Sequence, residues 1–332
     1  MKQYYIIFFI LTLGLFSCNK EKIDTPLQIY VDNFFIEAEK RGIQLSRKKL
    51  EVVFNDDLSS CGIGYSDFNE KGKRRVEINM NSFCWQEKST IQKELLMFHE
   101  LGHAILERGH DNRKLPNGMF ASIMTEGDIQ HGLYTEYSLE LRDYYLNELF
   151  NSDEPIPEWA KLKTNKSILF SEDFELPSDN WKFSIFPEEA IDKIKGVIEL
   201  NEEGNSKVAK IVALDFLNTN GLYGWYFDLQ PPNLTAGGIL QLNAKISTKN
   251  LGRLDGAELS IVAGSWDRDS TISSIVFSNS DEKVILDNQE GIYSARIGYY
   301  PNSVKRIAIN LNMRGSVKGE IEFDDIELVY YE

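Results

Sequence analysis

HELGHAILERGH, running from His99 to His110, holds three of the chain's four histidines within twelve residues. Residues four apart on a helix stand one above the other, so His99 and His103 would share a face while Glu100 points further round. The helix can be read from its own pattern. Ser89 followed by Gln92 is a capping-box signature and sets the N-cap at Ser89. From there Ile91, Leu95, Phe98, Gly102 and Ile105 recur at helical spacing as one apolar stripe. The histidine face lies beside that stripe, which suits a metal ion at the floor of a cleft.

Two imidazoles and a carboxylate at the spacing HExxH form a zinc pattern in which the histidines bind and the glutamate handles a proton. A zinc ion with three protein ligands keeps a fourth position for water and lowers the water's pKa to about 7. Glu100 would take that water's proton as it attacks a peptide carbonyl, then pass it to the leaving amine. Peptide hydrolysis is the expected reaction, with a protein or peptide as substrate. A non-peptide amide or ester would fit the motif as well.

The third ligand is expected at His110, with Gly109 before it as a place for the helix to end in a left-handed conformation. Its rivals are the adjacent Asp111 and two glutamates, Glu136 and Glu140, on or near a helix predicted from Ser138 to Phe150. Imidazole suits zinc, which favours His110. His131, alone in a loop, reads as a solvated residue.

At these residues the stretch resembles the metzincin metallopeptidases, whose pattern is HExxHxxGxxH followed by a methionine-containing turn beneath the zinc. The chain departs from the pattern: Leu106 stands where glycine is expected, and His110 arrives one residue late. Ser122-Ile123-Met124-Thr125 resembles the methionine turn, with Met124 beneath the metal. The resemblance implies that Tyr134 or Tyr137 could donate to the oxyanion. Packing of a helix is the other reading of either tyrosine.

Lys2 followed by the apolar run YYIIFFILTLGLF at residues 4 to 16 reads as a signal peptide, too short for a comfortable membrane span. Leu15-Phe16-Ser17-Cys18 resembles the bacterial lipoprotein signal, which implies lipidation of Cys18 and a place in the cell envelope, at the outer membrane or cell surface. An ordinary secretory signal is the alternative. Membrane attachment is expected through the lipid alone. Cys61 and Cys84 then remain, and in an exported protein they make one disulfide. The net charge of −15 argues against nucleic acid as a partner.

A chain of 332 residues, 42% of them hydrophobic, suggests two domains. The expected organisation is multidomain: residues 1–18 a lipoprotein signal, 19–150 an α+β unit, 151–165 a linker with Pro155 and Pro157, and 166–332 an all-β sandwich. In the α+β unit a helix from Leu27 to Arg41 stops at Gly42. Strands at Leu50–Phe54 and Val76–Met80 follow, separated by a polar loop containing Gly62, Gly64 and Lys71-Gly72-Lys73. The unit resembles zincin folds, where a sheet packs on the motif helix and its edge strand runs along the cleft. Val76–Met80 is the expected edge, to which an extended substrate could add as a further strand.

Beyond the linker the pattern changes to period two. Leu240, Leu242, Ala244 and Ile246 alternate with polar residues, as do Ile307, Ile309, Leu311 and Met313. In the last strand Ile321 and Phe323 are in one phase and Ile326, Leu328 and Tyr330 in the other, which predicts a bulge near Asp324-Asp325. The opening Phe170–Glu175 and the closing Phe323–Leu328 resemble the terminal strands of jelly-roll carbohydrate-binding modules. That resemblance implies a structural calcium ion at Asp173, Glu175 and Asp324, although solvated carboxylates are the other reading. Trp225, Trp266, Tyr299 and Tyr300 could stack on sugar rings or belong to the core.

Three functions follow from these readings. The first is a lipid-anchored zinc endopeptidase with an accessory sandwich. The second is a glycan-binding surface lipoprotein with an inactive zincin domain, and the third a zinc hydrolase of other amides or esters. Intact Glu100 favours the first.

Overall fold

The computed structural model describes residues 21–67, 72–126, 137–176, 180–186, 188–215, 221–230, 232–252, 257–264, 275–278, 285, 287–302, 304–314 and 318–332. The signal segment with Cys18, and His131, Tyr134, Glu136 and Trp266, lie outside them. The chain divides into two compact units. The first comprises Met1–Arg113, Ala121–Ile129 and Tyr137–Pro155, the second Lys114–Phe120, Gln130–Glu136 and Ile156–Glu332.

The first unit runs β1 (Lys22–Ile23), α1 (Thr25–Lys40), β2 (Leu50–Phe54), β3 (Gly62–Asp67), β4 (Lys73–Ile78), a π-helical turn (Ser82–Gln86), α2 (Thr90–Leu106) and α3 (Arg142–Phe150). Its sheet has the order β1-β2-β4-β3, with β2 and β4 parallel and β3 antiparallel to β4. The edge beside α2 is therefore β3, and the segment read as an edge, Val76–Met80, overlaps the interior strand β4. Glycines at positions 62 and 64 gave β3 the look of a loop, and strand order is not a local property of sequence.

Helix α1 turns Leu27, Val31, Phe34 and Ala38 inward, a helical stripe fully or almost fully buried. Phe34 meets Phe98 of α2 edge-on at 5.3 Å and Phe150 at 5.1 Å. Helix α2 is buried at every position from Glu94 to Gly102, so it is the unit's central helix. Its capping box at Ser89 and Gln92 forms as the sequence predicts.

A carboxylate in so dry a helix needs partners. Glu94 accepts from Tyr137 Oη at 2.8 Å and from Arg142 Nε at 2.7 Å. Arg142 also reaches Glu37, which holds Arg41 and Lys40 as well, and the network ties α1, α2 and α3 together. Tyr137 is thus a buried packing residue facing Glu94 and is not placed to donate to a substrate. Helix α3 begins at Arg142, four residues after the predicted Ser138, because residues up to Leu141 form a turn.

The second unit is a β-sandwich. One sheet has the order β13-β10-β15-β8-β7, with β5 also paired to β15. These strands are β5 (Lys166–Glu172), β7 (Ile194–Leu200), β8 (Lys207–Ala213), β10 (Ile239–Gly252), β13 (Glu290–Ile297) and β15 (Lys318–Tyr331). The other sheet, β12-β11-β14-β9-β6, is built from β6 (Lys182–Phe186), β9 (Leu222–Leu229), β11 (Ala257–Gly264), β12 (Ile275–Ser278) and β14 (Arg306–Arg314). The two period-two runs face one another in a single core, Leu240 to Ile246 from β10 against Ile307 to Met313 from β14. A one-residue slip of either would turn its apolar face to water, which fixes the register.

The predicted bulge is present. Asn243 pairs Glu327 while Lys245 pairs Asp324, leaving one extra residue in β15, and Asp325 takes φ +48°. That extra residue lets both phases of β15, Ile321 and Phe323 before it and Ile326, Leu328 and Tyr330 after it, stay inward. The segment read as a linker is partly structured. Glu158–Ala160 forms a 3-10 turn in the second unit, where Trp159 packs edge-on against Tyr299 at 5.6 Å. Also in this unit, buried Asn117 donates to Gly298 O at 2.9 Å. Among the described residues no helix is long and apolar enough to cross a membrane.

Candidate metal centre

Helix α2 carries His99 and His103 on adjacent turns, and the chain after it returns His110 to them. Their ring nitrogens converge: His103 Nε2 lies 3.1 Å from His99 Nε2 and 3.1 Å from His110 Nε2. All three ligand atoms lie within 4.8 Å of one another, the one such grouping of three or more ligating side chains among the described residues.

The helix stops two residues earlier than Gly109 would stop it. Glu107 takes the left-handed conformation at φ +56°, with its N–H on Gly102 O, while Gly109 has an ordinary φ. The turn behind His110 is then fastened by Asp111 N donating to Met124 O at 2.8 Å. Asn112 Oδ1 accepts from Glu126 N at 2.7 Å and Thr125 Oγ1 at 2.9 Å. This clasp explains how a histidine one residue late still reaches the pair.

Backbone carbonyls set the tautomers. His99 Nδ1 donates to Ile123 O and His103 Nδ1 to Arg108 O, each at 2.7 Å. Both Nε2 atoms then present lone pairs to each other at 3.1 Å, an arrangement that repels unless a cation sits between them. Tetrahedral zinc with Zn–N bonds of about 2.0–2.1 Å sets its nitrogens roughly 3.3 Å apart. The donor set fits that ion. Burial drives the His99 pKa down to about 3, against the bond to Ile123 O and helped by His103 and His110. It lowers that of His103 as well, so both rings stay neutral.

Met124 is completely buried, and its sulfur fills the space above Gly102, between the turns that carry the histidines. The segment Ser122–Thr125 thus supplies a carbonyl to His99 through Ile123 and a floor through Met124.

Glu100 is 5% exposed and faces the edge strand β3. Burial pushes its carboxyl up to about 8, opposed by a hydrogen bond from the Gly64 backbone. Gly62 and Gly64, read from sequence as loop residues, are the contacts that sequence reasoning missed. The signal available was their spacing of two, which puts both on one face of a strand. Just before them Cys61 is joined to Cys84 of the π-helical turn by a disulfide.

The rival ligands are placed elsewhere. Asp111 is held by Arg113 through Nε at 2.9 Å and Nη2 at 2.6 Å, which lowers its pKa. Glu140 is exposed and does not join the histidines.

In the sandwich the carboxylates expected to hold calcium do not gather. Asp173 caps Glu175 N at 3.1 Å, Glu175 accepts from Lys207 N at 2.8 Å, and Asp324 accepts from Ser206 Oγ at 3.3 Å. Local backbone and hydroxyl donors take up each of them in turn. Of the aromatics, Tyr300 is 4% exposed and packs against Tyr330, so it belongs to the core. Trp225 packs on Phe183 and donates to Lys210 O at 3.3 Å.

No family model matches the chain, and no curated protein matches it. Solved structures do. The enzymatically active domain of tailspike protein 4 of bacteriophage CBA120 aligns at 14% identity and TM-score 0.31, over 45% of this chain and 19% of that one. The CBM22-1 and GH10 modules of Clostridium thermocellum endo-1,4-beta-D-xylanase 10B, complexed with xylohexaose, align at 13% identity and TM-score 0.33, over 50% of this chain and 28% of that one. A xylan-binding domain from Paenibacillus barcinonensis Xyn10C aligns at 10% identity and TM-score 0.31, over 50% of this chain and 96% of that one. The chain thus spans well under a third of the first two.

Proposed function

We propose that the first unit is a zincin-like, zinc-dependent endopeptidase, resembling the metzincins, carried outside the cytoplasm on a lipidated Cys18 with the β-sandwich as an accessory module. The observation that supports it is the meeting of three imidazole nitrogens within 4.8 Å of one another, with Glu100 on the same helix as two of them. His99, His103 and His110 would hold the ion through Nε2. Zinc bound there would supply Lewis-acid polarisation of a carbonyl and a nucleophile at neutral pH. Ile123 O and Arg108 O keep two of the rings in the binding tautomer. Glu100, desolvated and held by Gly64, takes a proton and returns it to the leaving amine; a carboxyl raised by burial is suited to both steps.

The test uses the chain lacking residues 1–18, with denatured casein as substrate. One zinc per chain and casein cleavage are expected in the parent, zinc without cleavage in Glu100→Ala, and loss of both in His110→Ala. A parent that neither binds zinc nor cleaves would sink the reading. Fatty-acid labelling of the full chain, lost in Cys18→Ala, tests the anchor.

A second reading is glycan binding by the sandwich beside an inactive first unit. It is favoured by a cleft of about 400 Å³ on the outer face of the six-stranded sheet. Asn201, Ser247, Asn288, Gln289 and Asp324 line it, groups that can bond sugar hydroxyls. Retention of the Glu100→Ala protein on immobilised polysaccharide, without cleavage by the parent, would favour this reading.

A further inference from the structure

Strand β3 meets helix α2 through two glycines. Gly62 and Gly64 are two apart and share a face, while Ile63 and Tyr65 on the opposite face are 43% and 37% exposed. The glycine face is turned on Glu100. The three atoms nearest a Cβ on Gly62 would all belong to the Glu100 side chain, 2.7 Å from Oε1, 2.9 Å from Cγ and 3.0 Å from Cδ. A Cβ on Gly64 would run into the Glu100 backbone carbonyl, 2.7 Å from its carbon and 3.0 Å from Cα. Neither glycine has a positive φ, so backbone conformation does not require glycine at either position. Glycine also weakens a strand interior, and a ligand or another backbone coming close is the usual reason to find one there. Here the close neighbour is the helix that carries Glu100. The start of the strand is pinned as well, since Cys61 is bridged to Cys84 in the turn before α2.

We propose that Gly62 and Gly64 are positioning residues for Glu100: the bare face of the edge strand sets how near the helix comes, and confines the carboxylate to one place. This rests on the reading of Glu100 as the proton carrier. Gly64 limits the backbone approach and Gly62 limits the side chain, so the two substitutions have different signatures.

The experiment is a double-mutant cycle on the chain lacking residues 1–18, combining Gly62→Ala or Gly64→Ala with Glu100→Ala. Urea unfolding, zinc affinity and casein cleavage are measured on each variant. Gly62→Ala should lower stability in the parent background and much less when Glu100→Ala has removed the side chain it meets. Gly64→Ala should cost the same in both backgrounds, because the carbonyl it meets remains. In the parent background Gly62→Ala should reduce kcat on the order of 100-fold, with KM and zinc affinity within about 3-fold, as misplacement of a proton carrier predicts. Equal destabilisation by Gly62→Ala in both backgrounds, or a kcat unchanged from the parent, would overturn the proposal. A parent without peptidase activity would overturn the functional reading, while the stability cycle would still decide whether Gly62 confines Glu100. Should Gly64→Ala fail to fold, Gly62→Ala carries the test alone, because the atoms it meets belong to a movable side chain.

Discussion

Arg108 and His103 are joined by the backbone carbonyl of the first and the Nδ1 of the second, 2.7 Å apart, while the Arg108 side chain closes the end of another helix. Its Nη1 donates to the carbonyls of Glu148 at 2.7 Å and Leu149 at 3.0 Å, and its Nη2 to Glu148 Oε1 at 2.6 Å. One residue thus fastens the last turn of α3 and orients a histidine of the candidate metal centre. The guanidinium cannot be removed cheaply, because Glu148 is 2% exposed and its Oε2 has no hydrogen-bond partner among the described residues.

Arg108→Ala should therefore lower unfolding free energy by about 3–5 kcal/mol, the cost of leaving a buried carboxylate alone. If the orientation of His103 depends on this anchor, zinc affinity should fall 10–100-fold as well. Urea unfolding and competition with a chromophoric chelator measure the two effects. A loss of stability with zinc affinity intact would confine Arg108 to packing.

Glu107, at φ +56°, occupies a position where glycine would be unstrained, and it is exposed. Glu107→Gly should be neutral to stabilising by up to about 1 kcal/mol, relief of the left-handed conformation being set against the greater entropy of an unfolded glycine. Gly109→Ala should stay within about 0.5 kcal/mol of the parent, since among the described residues nothing beyond its chain neighbours lies within 4 Å of the added methyl and φ is ordinary. Thermal denaturation of the two variants separates them. A larger loss in Gly109→Ala than in Glu107→Gly would move the helix stop back to the glycine.

That pair of residues also shows where sequence stops being informative. The spacing of His99 and His103, the Ser89–Gln92 cap and the phase change at Asp324-Asp325 are local regularities, and each is found where its pattern puts it. The stop at Glu107 is not legible, because a non-glycine residue in the left-handed region is held there by its surroundings. Strand β3 is not legible for a related reason. Gly-Ile-Gly-Tyr-Ser-Asp has no apolar alternation, since its inner face must carry no side chains against Glu100. For aromatics the sequence leaves two readings open, site or packing, and Tyr137 and Tyr300 take the packing one, buried against Glu94 and Tyr330.

The bridge between Cys61 and Cys84 closes a loop with a sequence separation of 23 that contains β3 and β4. Closing a loop of that size restricts the unfolded chain by about 3 kcal/mol. The double variant Cys61→Ser/Cys84→Ser should lose about that much in urea unfolding. Reductant should bring the parent to the level of the variant and leave the variant unchanged. If reductant shifts both proteins alike, the bridge is not the cause.

Acid stability should report on Glu37. Burial would raise its pKa, but hydrogen bonds from Lys40 and Arg41 and the charge and hydrogen bond of Arg142 outweigh burial and hold it at about 2. Its side chain is 8% exposed, so solvent screens these contacts little. A carboxyl depressed in the folded state releases its proton more readily there than in the unfolded chain. Its contribution is complete above the ordinary value of 4.5 and is lost as pH falls from there through about 2. The gap corresponds to about 3 kcal/mol at neutral pH. Glu37→Gln should lower stability by roughly that amount at pH 7 and leave a shallower decline between pH 4.5 and 2 than the parent shows. Urea midpoints across that window decide the matter. Parallel declines in the two proteins would shift the acid sensitivity to other carboxylates.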